Sequence, residues 1–166
     1  MVLWTFIICV IIGIVFMFVV FYGAPFLPTR SARVQEAVDA LGLKPGQMLL
    51  ELGSGDGRIL RAAARRGIRS VGYELNPILV WYSRLLALRY RGLIEVRLGN
   101  YWNAPLPACD AIYLFLLNPY MQKMDDKISQ EITKPVRVIS FAFPFPNRRP
   151  SREQQGLYIY DWPGRN

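Results

Sequence analysis

Histidine is absent from this chain, and cysteine occurs only as Cys9 and Cys109. The first absence removes the side chain that most often moves protons near neutral pH and ligates metals. Any protein base must then be a carboxylate, a tyrosine or a water. The two cysteines form no metal-binding or disulfide motif, so no metal is expected. No internal repeat and no low-complexity tract is present. Charge is also missing from one place in particular. Of 166 residues, 52% are hydrophobic and 19% charged, yet no charged side chain precedes Arg30.

The uncharged start is a sustained apolar run. Val2 to Tyr22 is about 21 residues, which at about 1.5 Å each spans roughly the 30 Å hydrocarbon thickness of a bilayer. A cleaved signal peptide fits less well, because no Lys or Arg precedes the run and no small-x-small cleavage site follows it. Trp4 and Tyr22 stand near its ends, where interfacial aromatics sit. Residues 1–23 are therefore expected to be a transmembrane anchor, 24–30 a stiff linker holding Pro25 and Pro28, and 31–166 the working domain. Arg30 and Arg33 follow the anchor, which by the positive-inside rule places that domain on the cytoplasmic side. The net charge of +8 suits a membrane surface, and suits nucleic acid less well in a tethered domain.

Beyond the linker, apolar strands alternate with helical patterns. Ser31 is a candidate helix cap, and Val34, Ala37, Val38 and Leu41 recur at helical spacing. Strands are expected over 47–52, 70–74, 94–98, 108–116 and 136–143, with one more candidate over 157–160. Helices are expected from the glycine-rich turn to about Arg66, from Pro77 (capped by Asn76) to about Arg91, and over 121–132. This is an α/β pattern, a Rossmann-like, doubly wound and mostly parallel sheet. Arg58, Arg61, Arg65 and Arg69 fall in one narrow arc at about 100° per residue, a solvated face or a basic stripe turned to a membrane.

The chemistry concentrates at Leu50-Glu51-Leu52-Gly53-Ser54-Gly55-Asp56-Gly57-Arg58. An apolar strand delivers an acid and then glycines at alternate positions. About 20 residues on, a second strand ends in Glu74. Such a turn grips an adenosine-containing cofactor, and the second acid binds ribose hydroxyls. The spacing is G-x-G-x-G, not the dinucleotide pattern G-x-G-x-x-G. That points to S-adenosyl-L-methionine, whose ammonium needs an anion that Glu51 and Asp56 can supply. Ligands of such sheets bind beyond the carboxyl ends of the strands. Asn100 is placed there for the adenine edge, or as a turn residue after Gly99. Asn118-Pro119-Tyr120 follows the fourth strand. It is similar to the Asn-Pro-Pro-Tyr motif of enzymes that methylate planar nitrogens, with one proline missing. Asn118 and Tyr120 are the candidates for substrate contact.

Tyr73-Glu74-Leu75-Asn76-Pro77 and Leu79-Val80-Trp81-Tyr82-Ser83-Arg84 resemble the second motif of a group of small membrane-anchored lysine methyltransferases. The group includes the mitochondrial enzymes that modify the ATP synthase c-subunit and the adenine nucleotide translocase. Pro25 to Thr29, Leu52 to Arg58 and Phe143-Pro144-Phe145-Pro146 are similar as well, in the same order. The resemblance implies a class I methyltransferase fold. It implies S-adenosyl-L-methionine held by Glu51, Gly53, Ser54, Gly55, Asp56, Gly57 and Glu74, with methyl transfer to a lysine ε-amine of a protein, often a membrane protein. Family members usually carry an acid where Asn100 stands. Their sheet usually closes with an antiparallel hairpin, and only one strand candidate remains here, so a shortened C-terminus is expected. A prokaryotic plasma membrane is expected in preference to a mitochondrial one.

Overall fold

The computed structural model describes residues 2–22 and 31–165, with the side chains of residues 12, 14–22, 31 and 32 outside the description. The expected linker over 24–30 and the capping role of Ser31 fall outside the described residues. The first helix, α1 (Val2–Tyr22), is 21 residues long and carries no acidic or basic residue in its end turns. Its large apolar side chains that are described, from Val2 to Ile11, are exposed. Among the described residues no helix is long and apolar enough to cross a membrane; much of the expected span lies outside the described side chains.

From α2 (Ser31–Leu41) the chain alternates through β1 (Met48–Leu52), α3 (Arg58–Ala64), β2 (Arg69–Glu74), α4 (Pro77–Ala87), a 3-10 turn (Leu88–Tyr90) and β3 (Ile94–Leu98). It continues through β4 (Ala111–Leu114), α5 (Asn118–Glu131), β5 (Val136–Phe141), β6 (Arg152–Gln154) and β7 (Leu157–Trp162). The sheet order is β3-β2-β1-β4-β5-β7-β6. The first five strands run parallel, and β7 is antiparallel to both β5 and β6. Leu50 pairs with Val71 on one side and Ile112 on the other, so β1 lies central and buried. Successive crossovers run outward in opposite directions from β1 and β4, and the gap between them is where such sheets bind ligands.

Two layers cover the sheet. Leu41, Ile59, Ala63 and Leu49 join α2 and α3 to one face, and Leu60, Val80 and Val96 extend that layer to α4. Met121, Met124 and Ile128 of α5 cover the other face with Leu50, Ile112 and Val138.

The structure corrects several expectations. The sheet is not short of a strand: β6 and β7 form a closing hairpin. Arg152, Glu153 and Gln154 are polar on both faces at the sheet edge, so no alternating pattern marks them. The connecting residues Gln155 and Gly156 both have positive φ, the geometry of a tight two-residue hairpin turn. Helix α5 begins at Asn118, so Asn118-Pro119-Tyr120 is its first turn rather than a loop before it. The expected arginine stripe does not exist as one face. Helix α3 ends at Ala64, and Arg69 opens β2.

Candidate functional site

Strand β1 hands the chain to a turn whose backbone is tied to β2. The Gly53 and Ser54 N–H groups both donate to the Tyr73 carbonyl at 2.9 Å. The Gly55 N–H donates to Glu74 Oε2 at 2.8 Å, while Glu74 Oε1 accepts from the Leu75 and Asn76 N–H groups at 2.8 Å each. Asn76 caps α4 by accepting from Ile78 and Leu79, with Pro77 in the first turn. Gly57 precedes α3 at φ 73, and a Cβ there would stand 2.1 Å from Ser83 Oγ. Gly72, which sequence reasoning passed over, is as demanding. A Cβ on it would lie 2.7 Å from Ser54 Cβ, Ser54 Oγ and Leu60 Cδ1. Glycine inside a strand was its only signal, the usual mark of close approach.

The carboxylates differ in environment. Glu51 is buried, and its Oε2 and the nearby Ser54 Oγ have no hydrogen-bond partner. Burial, followed by the charges of Asp56 and Glu74, pushes Glu51 well above the usual carboxylate range, against smaller opposition from Arg61 and the Leu60 N–H. Asp56 goes the other way. Burial tends to raise it, but the Arg58 hydrogen bonds and the Arg58 and Arg61 charges prevail and hold it below its ordinary value. Arg58 Nε lies 2.9 Å from Asp56 Oδ1 and Nη2 2.8 Å from Oδ2. Arg61 Nη1 donates to the Asp56 carbonyl. The two arginines read as a surface stripe thus brace the turn. Arg65 meets the Tyr90 hydroxyl, and Arg69 the Gly46 carbonyl.

The ends of β3 and β4 bring other chemistry. Asn100 Oδ1 accepts from the Trp102 N–H at 3.0 Å, and the Asn100 carbonyl from the Asn103 N–H, so this residue shapes its own turn. Tyr101 is pushed up to about 12, chiefly by burial and then by the charge of Glu74. Its ring centroid lies 5.1 Å from that of Trp102, which is 6.4 Å from Tyr120. Lys123 Nζ stands 4.6 Å from the Trp102 ring centre. Phe115 packs between Phe141 and Phe143, at 5.7 and 6.3 Å. Asn118 and Tyr120 are exposed at this edge. The structure therefore collects Glu51, the glycine turn, Glu74, Asn100, Asn118 and Tyr120 at the carboxyl ends of the strands. Tyr101 bridges its two halves, where the sequence offers it or Trp102 as a flank for adenine or substrate, whereas Arg61 was not singled out as a site residue by sequence reasoning. Among the described residues no group of His, Cys, Asp and Glu could hold a metal ion.

Residues 51–152 match the family described as the ANTKMT methyltransferase domain. The chain belongs to this family. Its fold is that of class I methyltransferases. The human lysine N-methyltransferase of the ATP synthase c-subunit is 37% identical over 128 residues, covering 76% of this chain and 54% of that protein. The mouse adenine nucleotide translocase lysine N-methyltransferase is 36% identical over 129 residues, covering 76% and 56%. A crystal structure described as an RNA methyltransferase from Salinibacter ruber, in complex with S-adenosyl-L-homocysteine, superimposes with a TM-score of 0.77. It is 30% identical, covering 82% of this chain and 94% of that one. The chain spans about half the length of the curated mammalian relatives it matches.

Proposed function

We propose that this chain binds S-adenosyl-L-methionine at the turn after β1 and transfers its methyl group to a lysine ε-amine of a protein, a membrane protein by the example of the relatives. One observation carries the cofactor reading. Glu51 and Ser54 present buried polar atoms without partners beside a glycine turn, and Glu74 closes the turn's far side. A buried acceptor without a partner is costly unless a ligand supplies the donor. An ammonium suits Glu51, hydroxyl donors suit Glu74, and the donor set fits the cofactor. Bound S-adenosyl-L-methionine supplies a methyl group on a cationic sulfur, open to direct displacement.

The protein's own work is then binding, alignment and exclusion of water. Glu51 would neutralise the ammonium and Glu74 would hold the ribose, while Arg58 and Arg61 hold Asp56 and the turn in shape. An acceptor lysine has an unperturbed pKa near about 10.4 and must lose its proton first. The aromatic edge of Tyr101, Trp102, Tyr120 and Phe143 disfavours the charged amine by desolvation. Tyr101, at about 12, stays a neutral phenol and is no base at neutral pH. Aligned by these residues, the neutral amine would face the methyl group that bound S-adenosyl-L-methionine would supply, with its own proton given up to water.

The same reading takes Val2–Tyr22 as a membrane anchor with the domain on the cytoplasmic side of a prokaryotic plasma membrane. Its support is an uncharged helix of bilayer length. The test incubates the full chain with radiolabelled S-adenosyl-L-methionine and native membranes, and separately with RNA. Label in a membrane-protein lysine supports the proposal. Label in RNA alone would favour methylation of nucleic-acid nitrogens, the reading that the Salinibacter relative supports. Calorimetry with S-adenosyl-L-methionine and with NAD tests the cofactor independently of the acceptor.

A further inference from the structure

Helix α4 has two apolar faces. Val80, Ser83 and Ala87 are buried toward the sheet. On the opposite side Ile78, Trp81 and Leu85, with Leu88 in the turn that follows, are 62%, 67%, 48% and 54% exposed, and Tyr82 lies beside them. At about 100° per residue these five fall within an arc of about 120°, facing away from the buried one. A surface helix ordinarily turns polar residues outward, and a contiguous apolar stripe of this kind marks an interaction surface. Leu98, 54% exposed at the end of β3, adds to the exposed apolar surface of this side of the sheet.

Its surroundings select the partner. Arg84, Arg89 and Arg91 border the stripe and form no ion pair among the described residues. Arg84 and Arg91 line an open groove with Leu88 along the edge strand β3. Apolar residues with Trp and Tyr, rimmed by arginine, are the composition that beds into an anionic lipid interface. The chain's path agrees. Helix α2 shares its layer with α3 and α4, and Arg33 Nη1 donates to the Gln155 carbonyl and side chain at the β6–β7 turn. That turn lies at the carboxyl end of β5, since Leu157 pairs with Phe141. The chain therefore reaches the domain at the edge that carries the site, where α4 also begins. The eight residues 23–30 can span at most about 30 Å.

We propose that the exposed face of α4 lies in the headgroup region of an anionic bilayer, the one that α1 enters, and turns the site's edge toward that membrane. This rests on the anchor reading of α1. The test uses the full chain with Cys9→Ser and Cys109→Ser, carrying an environment-sensitive fluorophore at Leu85→Cys or, as control, at Gln130→Cys on the opposite layer. The chain is reconstituted into phosphatidylcholine vesicles with and without phosphatidylglycerol, and quenched by lipid-borne nitroxide. The expected result is loss of fluorescence at position 85 but not at 130, reduced by Arg89→Glu with Arg91→Glu and by removal of phosphatidylglycerol. Trp81→Glu should abolish the loss at 85 while leaving cofactor titration unchanged. Flotation with the vesicles but equal quenching at both positions overturns this inference alone. A shift at 85 that tracks protein concentration in neutral detergent assigns the face to a second copy, and also overturns it. Failure to float with either vesicle overturns the anchor reading and this one together.

Discussion

At the ends of β1 and β2 the groups are small and mostly buried: three glycines, Ser54, and two carboxylates, of which Glu74 accepts from backbone N–H groups while Glu51 keeps an unpaired oxygen. At the ends of β3 and β4 they are large, aromatic and partly exposed, and polar contacts there are few. The first region is specified largely by main chain and tolerates almost nothing, because its ligand has one shape. The second offers planar surfaces and low polarity, which can accommodate different acceptors. Family membership is carried by the first kind of region, and on the proposed reading acceptor choice depends on the second. A lysine methyltransferase and an RNA methyltransferase can therefore both stand among the relatives of one chain.

The largest expected effect falls on the rigid half. Gly57→Ala adds a Cβ against Ser83 Oγ at a left-handed φ, and should cost about 3 kcal/mol or more and lower Tm by on the order of 10 °C. Adding Ser83→Ala should recover part of this in thermal unfolding. No recovery would mean that the backbone conformation, not the contact, sets the requirement.

Glu74→Ala comes next. It removes the acceptor of three backbone N–H groups together with the proposed ribose ligand, so affinity for S-adenosyl-L-methionine should fall by about 1–3 kcal/mol, roughly 5- to 150-fold. Unchanged affinity by calorimetry would refute that role.

Glu51→Gln is expected to separate stability from binding. The folded-state pKa of Glu51 is raised, so its contribution to stability is fully present below the ordinary value of 4.5 and is lost as pH rises through the folded pKa. The Gln variant should escape that loss. Its Tm without ligand at neutral pH should exceed the parent's, while its cofactor affinity drops by about 1.5–3 kcal/mol. A lower Tm in the absence of ligand would contradict the burial argument.

Tyr120→Ala probes the tolerant half and should do least to the fold, within about 1 kcal/mol. Cofactor affinity should stay the same while acceptor turnover falls. If cofactor affinity fell instead, the division between the two halves would fail.

The parts that local sequence made legible are those with a short-range cause. β3 came out as expected, β1 and α2 within a residue, and Asn76-Pro77 as a helix start, because capping and alternating burial act over a few residues. The parallel run of the first five strands followed from strand–helix alternation. β6 escaped because an exposed three-residue edge strand has no buried face to write a pattern. Asp56 was expected to await a ligand, yet Arg58, only two residues away, takes its carboxylate. Spacing alone does not tell which way a side chain turns. The arginine arc failed for a related reason, since it assumed a helix that continues past Ala64.

By itself the sequence determined the α/β order, the glycine turn with its two acids and the family, because each is a property of neighbours along the chain. The tertiary structure alone decided that Glu51 is buried with one oxygen unpaired while Asp56 is neutralised. It also decided that Gly72 must be glycine, that Tyr101 stands between the two halves of the site, and that α4 keeps an apolar face outside. These are contacts, or missing contacts, between groups whose positions depend on the packing of the whole sheet.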